Sequence, residues 1–385
     1  MRVVLLTGKG GVGKTSHAVA TALGAAAHGH RVFLLSTDSA HSLGDALRRP
    51  VGARPVPVAE GVVAQEVSVL EELERSWSSL QRFLRGLLRE GADPLVAEEL
   101  LVFPGLEELM ALRTIRDVEL TGDFDVCVVD CAPTGSTLRM LRFPDVVGLL
   151  MEDFFELERR GARLVRPILD RFRAGSLVPN EEIFDTVERL WTDVDDVRQI
   201  LLDTSRTTAR LVVNPAQVVL EEARRSYAYL SLYGVSTDAV IVNRVLPVEA
   251  QGGWFSRWAQ REQATLTEIR ASFPVPLFEA PLLARELGGL PALAEMATRL
   301  YEQVDPARLL FEGQPIRLRK HAGRTCLELE LPGATKEGLE VTARGEDLLV
   351  RWRDATRIVA LPRSVVGRPV ARARLRDGVL VVEFT

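Results

Sequence analysis

The chain has 385 residues, 46% of them hydrophobic and 26% charged, with a formal net charge of −5 at pH 7. That balance supplies a core of normal size, excludes a disordered chain, and at this length suggests two or three domains. So small a charge excludes a global attraction to nucleic acid or membrane, but residues 314–385 carry +5 and 1–313 carry −10, an asymmetry that suggests two separate units.

Residues 3–6, Val-Val-Leu-Leu, predict a buried parallel strand. Met1-Arg2 leads straight into it, so no targeting leader is expected. Gly8, Lys9, Gly10, Gly11, Val12, Gly13, Lys14 and Thr15 then fit the phosphate-binding pattern G-x-x-x-x-G-K-[ST], and an Ala-rich helical stretch follows. The glycines let consecutive N–H groups turn toward phosphate oxygens, and the helix aims its positive end at the same place. Lys14 is expected on the β and γ phosphates and the Thr15 hydroxyl on Mg²⁺. Composition adds a second argument: of 48 basic residues only Lys9, Lys14, Lys320 and Lys336 are lysines. A chain that otherwise writes positive charge as Arg keeps a compact ammonium where a guanidinium fork would not fit.

Residues 31–37 predict a second strand, which puts Asp38 at its carboxyl end, where open α/β sheets place ligands. Leu80, Phe83, Leu84, Leu87 and Leu88 recur at helical spacing. Val126–Val129 predict a third strand ended by Asp130, a carboxylate in position to support Mg²⁺, and Gly135 follows in a Pro-Thr-Gly turn suited to a γ-phosphate. Cys127 and Cys131 on that strand read as small buried hydrophobes, and three cysteines make no disulfide framework. Residues 146–157 are apolar on more than one helical face, and 238–243 predict another strand, ended by Asn243. No segment reaches the roughly 18 apolar residues of a transmembrane helix, so a cytoplasmic protein is expected.

Three separated segments carry a resemblance. The phosphate loop, Ser36-Thr-Asp-Ser-Ala-His-Ser-Leu-Gly-Asp-Ala-Leu47 and Asp130-Cys-Ala-Pro-Thr-Gly-Ser-Thr-Leu138 look like the arsenical pump-driving and tail-anchored-protein targeting ATPase family. The resemblance covers residues 1–311 and implies a doubly wound, mostly parallel P-loop NTPase sheet of the SIMIBI class with a helical subdomain at about 70–120 and 144–205. It marks Lys9 as the signature of the deviant Walker A loop, reaching the phosphates of a neighbouring subunit across an ATP-sandwiched homodimer; the plain alternative is a lysine exposed on a loop. It implies that Asp38 orients the attacking water and that Asp130 supports Mg²⁺ from behind its ligands. Asn243 is implied to contact adenine, or is a strand-terminal turn residue. The chain departs from the pattern at Ser39, where the family has Pro, and at Ser136, where it has His. After Asn243 the dimer-bridging cysteine pair is missing, so no zinc is expected, and the arsenic-binding cysteines have no counterparts.

From residue 315 the pattern turns to short alternating strands, at 316–320, 325–331, 338–343, 347–351, 356–361, 370–375 and 379–384, with turns at Pro332-Gly333, Gly345-Glu-Asp347 and Asp377-Gly378. This predicts an antiparallel β-sandwich over 315–385. Glu330-Leu-Pro-Gly333 and Ala373-Arg-Leu-Arg-Asp-Gly-Val-Leu380 resemble the α-crystallin, or small heat-shock protein, domain. Together the readings lead to an Mg-dependent ATPase that captures and releases apolar protein segments as a chaperone or targeting factor. The alternative is the engine of an arsenite or anion pump. A spatial-positioning ATPase ranks below both, and no nucleic-acid partner is expected. The sequence names no client, membrane receptor or pump. Each apolar helix alone is also explained by helix-on-helix packing.

Overall fold

The computed structural model describes residues 1–38, 42–67, 106–132, 192–193, 195–284, 287–302, 304–321, 324–345, 347–353, 355–361 and 364–385. Ser39, Gly135, Ser136 and most of the helical stretches expected at 70–120 and 144–205 lie outside them. The chain divides into two compact units: Met1–Glu66, Gly122–Leu138 and Leu201–Thr385 form one, and Val67–Thr121 with Arg139–Ile200 the other.

In the first unit, β1 (Arg2–Thr7), β2 (Val32–Ser36), β3 (Val56–Ala59), β4 (Val62–Glu66), β5 (Val126–Asp130), β6 (Thr207–Val213), β7 (Ser236–Val245) and β8 (Leu277–Pro281) form one sheet. Their order is β3-β4-β2-β5-β1-β6-β7-β8. Every pairing is parallel except that of β3 with β4. All residues of β2, β5 and β6 are buried, as expected of strands covered on both faces. β1 lies between β5 and β6, so the chain leaves it toward one half of the sheet and later builds the other half on its far side. A crevice opens at the carboxyl end of such a strand, and the phosphate loop begins there.

The helices of this unit are α1 (Lys14–Ala27) and α2 (Ser42–Leu47), then α4 (Gln217–Leu232), α5 (Ser256–Ser272) and α6 (Leu290–Tyr301). On α6, Leu293, Met296, Ala297 and Leu300 are buried at spacings of three and four, the stripe of a helix lying on a core. Small residues on α1 join the same core, and Thr21 Oγ1 meets the Tyr301 hydroxyl at 2.7 Å.

A charged knot sits inside the sheet layer. Arg210 and Asp238, on neighbouring strands β6 and β7, are both 0% exposed. Arg210 Nε donates to Asp238 Oδ1 at 3.1 Å and Nη2 to Oδ2 at 3.3 Å, while Arg2 Nη2 donates to Oδ2 at 3.0 Å. Arg210 Nη2 also donates to the carbonyls of Pro306 at 2.8 Å and Arg308 at 3.4 Å. Buried charges persist only when paired and hydrogen-bonded. Here the pair also ties the segment after α6 to the sheet.

That segment leads into seven strands: β9 (Ile316–His321), β10 (Arg324–Glu330), β11 (Leu339–Arg344), β12 (Asp347–Trp352), β13 (Ala355–Ala360), β14 (Val370–Arg376) and β15 (Val379–Phe384). They form two antiparallel sheets, β14-β15-β10-β9 and β11-β12-β13. Leu327, Leu329 and Leu331 are buried and Glu328 and Glu330 half-buried, the alternation expected from the sequence. Trp352, Leu348, Val350, Leu380, Val382 and Phe384 complete the core. Asp377 and Gly378 both have positive φ, 48° and 74°, as a tight turn between β14 and β15 requires. The module rests on α4: the Tyr229 and Trp352 rings lie 5.3 Å apart, and the Arg357 guanidinium stands 5.9 Å from the Tyr233 ring centre.

In the second unit, α3 (Leu106–Thr121) buries Ile115 and Val118. Arg116 pairs with Asp193 at 2.8 Å and Asp196 at 2.7 Å.

Candidate active site

The phosphate loop joins β1 to α1 and is braced from β6 and β7. Gly8 has φ 151°, and a Cβ there would strike the Val212 carbonyl oxygen of β6. Gly13 has φ 97°, and a Cβ there would strike the Asn243 amide nitrogen. Both positions therefore require glycine, for close approach as well as for backbone conformation. Beside Gly10 and Gly11 nothing among the described residues lies within 4 Å of where a Cβ would stand. Among those residues the loop thus packs tightly at Gly8 and Gly13 and is open at Gly10 and Gly11.

The two lysines of the loop part company. Lys14 is 6% exposed, and its Nζ donates to the Lys9 carbonyl oxygen at 3.2 Å, across the mouth of the loop. The Lys9 side chain is 39% exposed and pairs with Glu222 of α4 at 3.1 Å.

Hydroxyls and carboxylates gather behind the loop. Thr15 Oγ1 and Ser42 Oγ lie 3.0 Å apart, which brings the start of α2 onto the start of α1. Glu66, at the end of β4, accepts the N–H groups of Leu43 and Gly44 at 3.0 Å each and so fixes α2. Asp130 ends β5 at 1% exposure. Burial pushes its carboxyl up to about 7, and the Asp38 charge adds to this; the Thr15 hydrogen bond, the Lys14 charge and Ser36 pull the other way. Asp130 Oδ1 is buried without a hydrogen-bond partner among the described residues. The Asp38 N–H donates to Ser36 Oγ at 3.3 Å, and Ser36 Oγ donates to Asp130 Oδ2 at 3.5 Å. Asp38 is therefore beside Asp130, at the carboxyl ends of adjacent strands.

A buried carboxylate oxygen without a partner among the described residues, on a carboxylate bonded by the Thr15 hydroxyl, suits a hard cation with oxygen ligands. Thr15, Ser42 and Asp130 fit Mg²⁺, with Asp130 placed to support it through water or a hydroxyl. The open side beside Gly10 and Gly11, next to a helix N-terminus and Lys14, fits phosphate.

Asn243 is 4% exposed. Its Nδ2 donates to the Val12 carbonyl at 2.7 Å and its Oδ1 accepts the Arg244 N–H at 2.9 Å. The amide thus braces the loop from β7, and the His17 ring lies within its hydrogen-bonding reach. His17 is fully buried beneath the loop, where burial lowers its pKa to about 4 and holds the ring neutral.

Lys14, Thr15, Asp38, Asp130 and Asn243 are thus brought to one end of the sheet, while Gly135 lies outside the described residues. Sequence reasoning gave no role to Ser42, Ser36, Glu66 or Glu222. Ser42 was visible inside the segment following Asp38. Nothing in the sequence points from Glu222 to Lys9, because only the β1–β6 pairing brings α4 beside the loop.

Comparison with known proteins agrees with this geometry. The family model described as anion-transporting ATPase matches residues 1–302, and one described as the HSP20-like domain found in ArsA matches 322–384. A protein of Prosthecochloris vibrioformis with the provisional name arsenical pump-driving ATPase is 33% identical over 388 residues, covering 100% of this chain and 96% of its own. ATPase get3 of Pyrenophora tritici-repentis is 28% identical over 327 residues, covering 80% of this chain and 93% of its own. ATPase GET3C of Arabidopsis thaliana is 27% identical over 323 residues, covering 77% and 82%. With a family match spanning the whole eight-stranded sheet and its phosphate loop, the chain belongs to the anion-transporting ATPase family and is an ATPase that also carries an HSP20-like domain.

Proposed function

We propose that this ATPase is a nucleotide-driven dimeric switch, acting in the cytoplasm, that captures and releases apolar protein segments. The carrying observation is the division of labour between its lysines. Lys14 is buried at the loop's own mouth, whereas the Lys9 side chain is 39% exposed and, among the described residues, pairs with a half-exposed glutamate. An exposed pair of this kind is worth about 0–1 kcal/mol, so a triphosphate presented by a second subunit competes with it easily. In this reading residues 1–311 are the motor and 315–385 hold clients or support assembly.

The chemistry follows from the residues. Loop N–H groups and Lys14 hold the β and γ phosphates, and Thr15 and Ser42 supply hydroxyl ligands with Asp130 behind them. Bound Mg²⁺ neutralises charge on the phosphate oxygens. Asp38 orients a water in line with the γ-phosphate and accepts its proton as the bond to the leaving ADP oxygen breaks, giving ADP and phosphate. Phosphoryl transfer needs chiefly positioning and charge neutralisation, so one carboxylate suffices. The Gly135 N–H contacts the γ-phosphate, and Lys9 completes the site in trans. Asn243 contacts adenine while keeping Val12 in place.

Mass measurement with and without a non-hydrolysable ATP analogue tests the switch. Conversion from monomer to dimer, lost in Lys9→Ala, is expected; a mass indifferent to both sinks it. An Asp38→Asn trap that recovers no apolar client under ATP removes the client role. The relatives' arsenical names support a second reading, an engine for an anion pump. Burial counts against thiol ligation in that reading: Cys127 and Cys131 are at most 1% exposed, and burial lifts the Cys127 thiol to about 12. Arsenite-stimulated hydrolysis, lost on replacing either cysteine, would restore it.

A further inference from the structure

His17, on the first turn of α1, is 0% exposed, and both of its ring nitrogens are buried without a hydrogen-bond partner among the described residues. Its neighbours Ala18, Val19, Ala20 and Ala22 are buried and apolar, so packing alone would be served by another apolar residue. Leaving a buried polar ring unpaired is costly, and no step assigned above uses it. The His17 N–H donates to the Gly13 carbonyl at 3.1 Å, which ties the residue to the phosphate loop. A Cβ on Gly13 would stand 2.4 Å from Asn243 Nδ2 and 3.9 Å from His17 Cδ2. The amide and the imidazole therefore share the space beside that glycine, within hydrogen-bonding reach of each other. Two further contacts converge on the same amide, from the Val12 carbonyl at 2.7 Å and the Arg244 N–H at 2.9 Å. Arg244 itself has φ 60°, a conformation that residues other than glycine seldom adopt and that gathers at functional sites.

We propose that His17 is a positioning residue for the nucleotide base, holding the Asn243 amide so that one edge of it faces adenine. This rests on the reading of Asn243 as an adenine contact. A side-chain amide has two N–H donors and two lone pairs on its oxygen. The Val12 carbonyl takes one N–H, and the Arg244 N–H takes one lone pair. The imidazole, with one donor and one acceptor nitrogen, takes a third position, which leaves one for the base. An amide held at three points loses little freedom when the base arrives, whereas one held at two must first be ordered. The phosphates are gripped separately, by the loop N–H groups and Lys14. His17 therefore acts on the part of the affinity that depends on the base and not on the part that depends on the triphosphate.

The test uses the full chain and calorimetric affinities, with Mg²⁺ present, for a non-hydrolysable ATP analogue and for inorganic tripolyphosphate, which has no base. His17→Leu is expected to lower the affinity for the analogue about five-fold, the usual worth of one hydrogen bond, and that for tripolyphosphate by less than about two-fold. Its Michaelis constant for ATP rises while kcat changes far less. Its urea midpoint stays close to that of wild type, which shows that it folds. His17→Gln and His17→Asn put an amide nitrogen near Nε2 and Nδ1, and one of them is expected to restore the affinity for the analogue. Asn243→Ala is expected to weaken the analogue more than tripolyphosphate, and adding His17→Leu to it changes that ratio no further. A ratio that Asn243→Ala leaves unchanged overturns the adenine reading and this proposal with it. A ratio that shifts in Asn243→Ala but not in His17→Leu overturns this proposal alone. Equal loss of both ligands in His17→Leu also overturns it, because the ring would then be a plain support of the loop.

Discussion

Asp238→Asn keeps the size of a side chain and removes its charge, and what remains is a cation at 0% exposure. Three charge-assisted hydrogen bonds converge on the Asp238 carboxylate, two from Arg210 and one from Arg2. Removing one partner of a buried pair costs about 3–5 kcal/mol because the other charge is left uncompensated. Arg2, at 11% side-chain exposure, can recover some hydration; Arg210 cannot. The expected loss is therefore about 4 kcal/mol. The double replacement Arg210→Met with Asp238→Leu removes the buried pair and should lose less, about 1–3 kcal/mol, because the Pro306 carbonyl loses its donor and the part-buried Arg2 keeps only Thr208 and backbone carbonyls. Equilibrium unfolding in urea of wild type, both singles and the double gives the coupling energy directly. The Arg210→Met single should also be cut faster by protease between 302 and 312, since Arg210 holds that segment. An Asp238→Asn protein within about 1 kcal/mol of wild type, or a double whose cost equals the sum of the singles, would refute the reasoning.

Asp130→Asn should abolish Mg-dependent ATP turnover yet stabilise the metal-free protein. The wild-type carboxyl is raised from 3.8 to about 7, so over that window the folded state retains a proton the unfolded state has lost. Wild-type stability therefore falls as pH rises through the window, and the variant's advantage grows to about 4 kcal/mol above it. Unfolding in a chelator checks this, and an advantage equal at about pH 5 and about pH 8 contradicts it. Asn243→Ala removes the brace on Val12 and should cost about 1–2 kcal/mol while raising the Michaelis constant for ATP; unchanged kinetics would show that the loop holds itself. Trp352→Ala, at 0% exposure, should cost about 3–5 kcal/mol, read as an earlier unfolding transition of the C-terminal sheets.

Much of this architecture was legible because it rests on local patterns. The apolar runs of β1, β2 and β5 and the glycine spacing between β1 and α1 report on burial and backbone conformation within a few residues. The seven C-terminal strands follow from period-two alternation and turn residues, and the observed strands fall within two residues of those expected. The carboxyl-end positions of Asp38 and Asp130 follow from where their strands stop. The illegible parts depend on tertiary neighbours. Arg210 lies mid-strand in Thr-Thr-Ala-Arg-Leu-Val-Val, where a charge reads as a surface residue until Asp238 arrives from the next strand. The antiparallel β3, with Pro57 at the sheet edge, has too little apolar content to announce itself. The brace that Asn243 places on the loop is also illegible, because its bond to the Val12 carbonyl joins residues 231 positions apart.

α4 has two tenants. Near its start Glu222 holds Lys9, and two turns later, roughly 10 Å along the axis, Tyr229 and Tyr233 bear the C-terminal module. A chain shortened before Ile316 would therefore not be the same motor minus an ornament. It would bare an aromatic strip on the helix that also holds Lys9, inviting self-association.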